Sequence, residues 1–270
     1  MKTLTFAFVL SAAPAIATEI MPDALQDLPP AQVYVLGEVH DNPIHHAYQA
    51  QAVAAIGPKA IVFEMFNADI AAAVTPANRA SKETLERALG WASLGWPDFG
   101  FYYPIFTAAP NAAIYGGGVP REQLRASVMQ GAASVLGEGA ADFALQQPLP
   151  DAMQATREAL QMEAHCNALP EQMLGGMVES QRLRDAMLAQ QVRLALQDLG
   201  APVVVITGNG HARNDWGMPA ALALAEPDVD VLSIAQFEDL PDTPQPFDLW
   251  LITEPVPRED PCAVFTKPQE

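Results

Sequence analysis

Six short runs of apolar, largely β-branched residues punctuate the chain: Val33 to Leu36, Lys59 to Phe66, Ala113 to Tyr115, Pro202 to Thr207, Val229 to Ile234 and Phe247 to Thr253. Continuous apolar runs of this length, rather than alternating ones, predict strands buried on both faces. Between them the pattern is helical. Asp41-Asn42-Pro43 offers a cap with proline in the first turn, and Ile44, Tyr48, Ala52 and Ile56 form the expected apolar stripe up to Gly57-Pro58. From about Glu122 to Leu199 helical periodicity runs without a strong strand signal. The longest helix should start near Pro170 and stop at Gly200, with the inward stripe Leu174, Val178, Gln181, Arg184 or Asp185, Leu188, Val192, Ala195 and Leu199. The middle of that stripe is polar, so Gln181, Arg184 and Asp185 should point into the protein. The pattern predicts an α/β fold with a mainly parallel sheet, helices on both faces and a helical insertion from about 122 to 199.

Two of the strands end alike. Gly37-Glu38-Val39-His40 and Gly208-Asn209-Gly210-His211 each follow a β-branched run with G-x-x-H and then a helix signal. Glycine lets the backbone turn sharply there, so both imidazoles should emerge at strand carboxyl ends, the edge where ligands collect in open α/β sheets. The helix after His40 would also turn its free N–H groups toward an anionic ligand group. Glu64 is a lone carboxylate in an otherwise apolar strand, and burying it requires a partner or a cavity.

Seven of the twenty Phe, Trp and Tyr residues fall between Trp91 and Phe106, a clustering that suits either a ligand pocket or a packed aromatic minicore. Gly116-Gly117-Gly118-Val119-Pro120-Arg121 lacks the lysine and hydroxyl of a phosphate loop and reads as a close-approach turn presenting Arg121. Five of the ten methionines fall between Met153 and Met187 in the insertion, at Met153, Met162, Met173, Met177 and Met187, where they adapt to irregular apolar surfaces.

Composition narrows the function classes. The formal charge of −18 disfavours nucleic acid and anionic lipid as partners. The first seventeen residues read as a secretory signal peptide: Lys2, an apolar stretch from Thr3 to Leu10, then the small-x-small pattern Ala15-Ile16-Ala17. That stretch is too short to span a bilayer, and no comparable run recurs. The mature domain is therefore expected to comprise 18–270 and to be periplasmic or secreted, without a lipid-bearing cysteine at the cleavage site. In an oxidising compartment Cys166 and Cys262, the only two cysteines, favour a disulfide.

Several segments, in order, resemble the ChaN-like haem-binding family of the Tiki/TraB/erythromycin-esterase-like superfamily. They are Leu36 to Asn42 with His46 and Gln49; Phe63 to Phe66; Trp91 to Pro104; Val119-Pro120-Arg121; His165; Gln181 to Met187; and Thr207 to His211. The resemblance implies a non-covalent haem binder in the envelope, serving iron acquisition, with cofacial haems at a homodimer interface. Superfamily relatives include hydrolases that use the paired G-x-x-H histidines and the strand glutamate, here His40, His211 and Glu64.

Haem needs a flat apolar cleft, an axial His or Tyr, and cationic partners for its propionates. Tyr103 and His165 are the axial candidates. His40, His46, Glu64, Arg121, Arg184 and His211 complete the candidate binding set. No C-x-x-C-H occurs, which argues against covalent attachment. The alternative is a hydrolase in which His40 or His211 acts as base with Glu64 orienting it, or in which all three hold a divalent metal. A scaffold that keeps the site unused is a third class.

Amino-terminal sequencing of exported protein is expected to begin at Thr18. Recovery of chains that still carry Met1 would remove the export reading.

Overall fold

The computed structural model describes residues 17–260 together with 262 and 263. The predicted leader, apart from Ala17, lies outside the described residues. Seven strands form one sheet: β1 (Thr18–Glu19), β2 (Val33–Glu38), β3 (Ala60–Phe63), β4 (Ala113–Gly116), β5 (Val203–Gly208), β6 (Val231–Phe237) and β7 (Leu249–Ile252). Their spatial order is β1-β7-β6-β2-β5-β3-β4, and every pairing is parallel.

The helices are α1 (Pro43–Ile56), α2 (Ala68–Ala71), α3 (Pro76–Arg79), α4 (Lys82–Leu89), α5 (Phe99–Ala108), α6 (Arg121–Gln130), α7 (Ala132–Leu136), α8 (Asp151–Ala164), α9 (Glu171–Leu199), α10 (Asn209–Ala212) and α11 (Met218–Ala225). From α6 to α9 no strand intervenes among the described residues, which is the predicted helical insertion. Six strands fall on the six predicted runs. The short β1 was not expected, and the run around Glu64 yields a strand that stops at Phe63, one residue before the carboxylate.

Alternation along the central strands divides the apolar residues between two cores. Tyr34, Leu36, Ile61, Phe63, Val204 and Ile206 face the layer containing α1 and α5, while Val33, Val35, Ala60, Val62, Val203 and Val205 face the α9 and α11 layer. Both faces are covered, which explains why the strand sequences look uniformly apolar. The aromatic segment belongs mainly to the first core. Trp91, Phe99, Tyr102 and Phe106 are buried there, and the Phe106 ring stacks on Phe63 with centroids 4.6 Å apart. The minicore alternative therefore holds for most of that cluster.

α1 is capped as the sequence predicts. Asn42 accepts from the Ile44 N–H, Pro43 occupies the first turn, and Gly57 ends the helix in the left-handed region at φ 59°. Its buried face overlaps the predicted apolar stripe at Ala52 but is turned from the rest of it. Ile44, Tyr48 and Ile56 are half-buried, whereas His45, His46, Gln49, Ala52 and Val53 are buried. The polar residues are turned inward because the end of β2 offers them hydrogen-bonding partners. In α9 the inward stripe holds from Leu174 to Ala195, but Leu199 is exposed where the last turn runs beyond the sheet.

Cys166, just after α8, is bridged to Cys262, with Cα atoms 5.5 Å apart. The crosslink ties the insertion to the carboxyl-terminal tail. In the chain-entropy picture, a loop of 96 residues is worth about 4–5 kcal/mol. Reduction, or the pair Cys166→Ser and Cys262→Ser, should lower Tm by roughly 10–15 °C, measured by calorimetry. An unchanged Tm would show that the bridge does not restrain the unfolded chain in this way.

Candidate functional site

Sheet register places the chemistry at one level. Glu38 is opposite Gly208 across the β2–β5 pairing, and Phe63 is opposite Ile206 across β3–β5. The residues that follow, Glu64 and Thr207, therefore emerge beside Glu38 at the carboxyl edge. β2 lies between β5 and β6, where connections leave in opposite directions along the sheet. Clefts form at such switch points.

His40 is oriented by Glu38. Its Nδ1 lies 2.7 Å from Glu38 Oε1, which also accepts from the Tyr102 hydroxyl at 2.8 Å. A carboxylate only accepts, so Nδ1 carries a hydrogen and Nε2 is left as the lone-pair nitrogen of the neutral ring. Nε2 has no hydrogen-bond partner among the described residues. The His40 side chain is 36% exposed, and its ring meets Trp96 edge-on with centroids 4.8 Å apart. A Cβ at Gly208 would come within 2.9 Å of Nε2, so glycine there gives the imidazole its place over β5. Burial works against charging His40. The Glu38 hydrogen bond and the Glu64 and Glu38 charges outweigh it, and its pKa is raised above the usual histidine value.

Glu64 is the hub. Its Oε2 accepts from the Thr207 hydroxyl at 2.6 Å and the Gly208 N–H at 2.8 Å, while Oε1 accepts from Arg184 Nη2 at 3.0 Å. His211 Nε2 stands 3.7 Å from Oε1. Burial alone would raise this carboxyl, but His211, His40 and Arg184 and the Thr207 bond hold it down at about 2. On its other nitrogen, His211 Nδ1 lies 2.6 Å from Asp185 Oδ1. Burial pushes Asp185 above the usual carboxylate value despite His211, Arg157 and Arg184. The site is thus two histidine–carboxylate dyads, His40–Glu38 and His211–Asp185, with Glu64 lying toward both histidines.

The helices supply the remainder. From α1, His46 Nε2 donates to the His40 carbonyl at 2.8 Å, and its Nδ1 faces Glu38 Oε2 at 3.4 Å. His45 Nδ1 accepts from the Val39 N–H, so its other nitrogen donates to the Thr253 hydroxyl. Burial lowers the His45 pKa to about 4, which keeps it a neutral strut.

Beside Glu64 opens a cleft of about 440 Å³, walled by Phe66, Leu94, Trp96, Val119 and Leu124, with Arg121 and Arg184 among its lining residues. Trp96 is anchored by its indole N–H to the Met65 carbonyl at 2.6 Å. The triple-glycine turn makes the wall thin, since a Cβ at Gly118 would meet the Glu64 carbonyl and one at Gly116 the Asn67 backbone.

A family model described as haem-binding uptake, Tiki superfamily, ChaN, matches residues 24–222. The chain belongs to this ChaN family. A solved structure described as cofacial heme binding to ChaN of Campylobacter jejuni superposes with a TM-score of 0.65 at 16% identity, covering 84% of this chain and 89% of that one. At that identity the likeness concerns the fold. The type III effector HopBA1 matches at a TM-score of 0.45 and 14% identity, over 87% of this chain and 92% of that one. No curated protein matches the sequence.

Within this ChaN fold the structure gathers His40, His46, Glu64, Arg184 and His211 at one edge, with Arg121 across the cleft. Two expected axial residues are elsewhere. Tyr103 donates its hydroxyl to the Arg79 carbonyl at 3.2 Å, and His165 Nδ1 is bonded to the Gln161 carbonyl at 2.8 Å; neither lines the cleft. Tyr102, one residue earlier on α5, is the tyrosine that reaches the site, because a one-residue step turns a helical side chain by about 100°. The expected role of Glu64 as orienter also changes, since Glu38 and Asp185 orient the histidines. Among the described residues no group of three or more His, Cys, Asp or Glu is arranged to hold a metal ion, so the three-ligand metal arrangement is not formed. Glu38, Thr207 and Trp96 were missed as site residues; only the position of Glu38 inside G-x-x-H hinted at its part.

The depressed Glu64 pKa carries a stability signature. Its contribution is fully present above the ordinary glutamate value of 4.5 and is lost as pH falls toward about 2. Glu64→Gln should destabilise the neutral-pH protein by roughly 3 kcal/mol, since Arg184 and His211 lose a buried counter-charge. The Tm gap between wild type and variant is expected to close as pH falls below 4.5. A gap independent of pH would show that Glu64 is not a charged hub.

Proposed function

We propose that this protein is exported, binds haem non-covalently in the cleft beside Glu64, and serves haem or iron acquisition. The observation that carries the reading is the cleft itself, considered with the family the chain belongs to. Its walls combine the Trp96, Phe66 and Leu94 surfaces with two arginines, the pairing a flat apolar macrocycle with carboxylate arms requires. Arg121 makes no hydrogen bond among the described residues, and Arg184 spends one N–H on Glu64, so both retain donors for propionates.

His40 replaces Tyr103 and His165 as the axial candidate. A histidine whose Nδ1–H is held by a carboxylate presents a basic Nε2 in fixed orientation, the usual outer-shell support of metal-bound imidazole. Haem supplies the iron and the macrocycle; the chain supplies the donor atom, the apolar wall and the counter-charges. His40 packs against Trp96, a wall of the cleft, and is part-exposed, so a second copy of the chain would close the open face, in keeping with the cofacial arrangement named for the Campylobacter protein.

One observation favours a second reading. Two oriented histidines facing one ionised glutamate form an acid–base constellation suited to hydrolysis. Both are tested together. Haem titration followed at the Soret band should saturate at micromolar haem in wild type. His40→Ala should shift the band and weaken binding at least tenfold, and Arg121→Ala with Arg184→Ala should weaken it without moving the band. Tyr103→Phe and His165→Ala should bind as wild type. Absence of saturable binding sinks the haem reading, and ester turnover abolished by Glu64→Gln would establish the hydrolytic one.

A further inference from the structure

Behind His211, on the side of Asp185 away from Glu64, two cavities of about 330 and 270 Å³ share Arg157, Asp185 and Trp216. The larger lies between the helical insertion and α11 and the smaller between the insertion and Gly210, Arg213 and Trp216; neither shares a lining residue with the sheet-edge cleft. The larger is predominantly apolar, walled by Phe143, Leu145, Leu149, Met153 and Leu224.

Arg157 is the anomaly. Its side chain is only 7% exposed, yet its guanidinium makes no hydrogen bond among the described residues. Its nearest counter-charge is Asp185 Oδ2 at 3.7 Å, beyond hydrogen-bonding range, and Trp216 lies 5.8 Å from its central carbon. A guanidinium offers five donors, and here they border the two cavities instead of protein acceptors. Asp185 Oδ2 faces Arg157 at 3.7 Å, and the other neighbouring charged groups are engaged elsewhere. Asp185 Oδ1 is taken by His211, Asp215 is held by Arg213 through two bonds of 2.9 and 2.7 Å, and Arg182 is bound to Glu179 and to the Ala144 and Gln147 carbonyls. Arg157 lines this largely apolar chamber without making a hydrogen bond to it, beside Arg182, Asp185 and Asp215.

We propose that this chamber is a second binding site, for an amphipathic monoanion: a carboxylate head on Arg157 and an aliphatic body along Phe143, Leu149, Met153 and Leu224. A carboxylate matches the guanidinium fork and satisfies two donors at once, and the apolar wall accounts for the body. Neutral apolar molecules would gain the wall but leave Arg157 unpaired. The inference does not rest on the haem reading.

Octanoate is the probe, titrated calorimetrically into the full exported chain, with 1-octanol as its uncharged counterpart. Saturable one-to-one binding is expected, with octanol at least tenfold weaker. Arg157→Gln should weaken octanoate roughly tenfold to a hundredfold, the range of a charged hydrogen-bonded pair, while Arg157→Lys should retain part of the affinity. Trp216 fluorescence should shift with octanoate in wild type and not in Arg157→Gln. Preloading with haem should leave the octanoate affinity within twofold. No saturable binding, equal affinity for octanol, or unchanged binding by Arg157→Gln overturns the proposal; so does loss of octanoate binding on haem loading, which would make this chamber the haem pocket. Should Arg157→Gln not fold, the octanoate–octanol comparison on wild type decides alone.

Discussion

A single ionised carboxylate, Glu64, ties the site together. At 4% exposure it could not remain charged without compensation, and the compensation comes from β5 through Thr207 and Gly208, from α9 through Arg184, and from His211 in α10. β3 itself contributes only the position. Each partner is fixed in turn: Arg184 by a helix whose apolar stripe is docked on the sheet, and His211 by Asp185 one residue further along that same helix. The charge therefore dictates that the insertion lie across the carboxyl edge with its polar middle turned inward.

The same edge shows how two layers share one chemistry. The α1–α5 layer supplies Tyr102, His45 and His46 to the Glu38 side, and the α9 layer supplies Arg184 and Asp185 to the Glu64 side. A parallel sheet buried on both faces permits this, because side chains just past the strand ends can be reached from above and below. The aromatic minicore gives the first layer its rigidity. Trp91 and His46 lie against the Tyr102 ring, with centroids 4.8 and 4.2 Å away, so its hydroxyl meets Glu38 with little freedom to move. Burial, with the Glu38 charge and hydrogen bond, raises the Tyr102 pKa and keeps the phenol a donor.

Charge accounts for the α1 surface as well. A helix with an apolar stripe was expected; the buried face instead holds His45, His46 and Gln49, which bond to Val39, the His40 carbonyl and the Leu36 carbonyl. Strand ends leave backbone groups without ladder partners, and a helix side chain that fills them is favoured over one that adds only apolar area. Local periodicity identifies a helix but does not choose its inner face when polar backbone lies beneath it.

What the sequence by itself determined follows from local rules. Uniformly apolar runs could only be doubly buried strands, Asn42-Pro43 and Gly57 had to bound a helix, the long polar-centred stripe had to turn Arg184 and Asp185 inward, and Glu64 had to find compensation. G-x-x-H repeated after two such runs marked the correct edge. Tertiary structure alone decided which carboxylate serves which histidine, because that depends on register between strands far apart in sequence. Glu38 and Gly208 are level only through the β2–β5 pairing, and Tyr102 reaches Glu38 across 64 residues. It also decided between Tyr102 and Tyr103, adjacent in sequence but turned to different neighbours by the helix. That Arg157 makes no hydrogen bond is likewise invisible in sequence, since it is set by what three separate segments leave open around it.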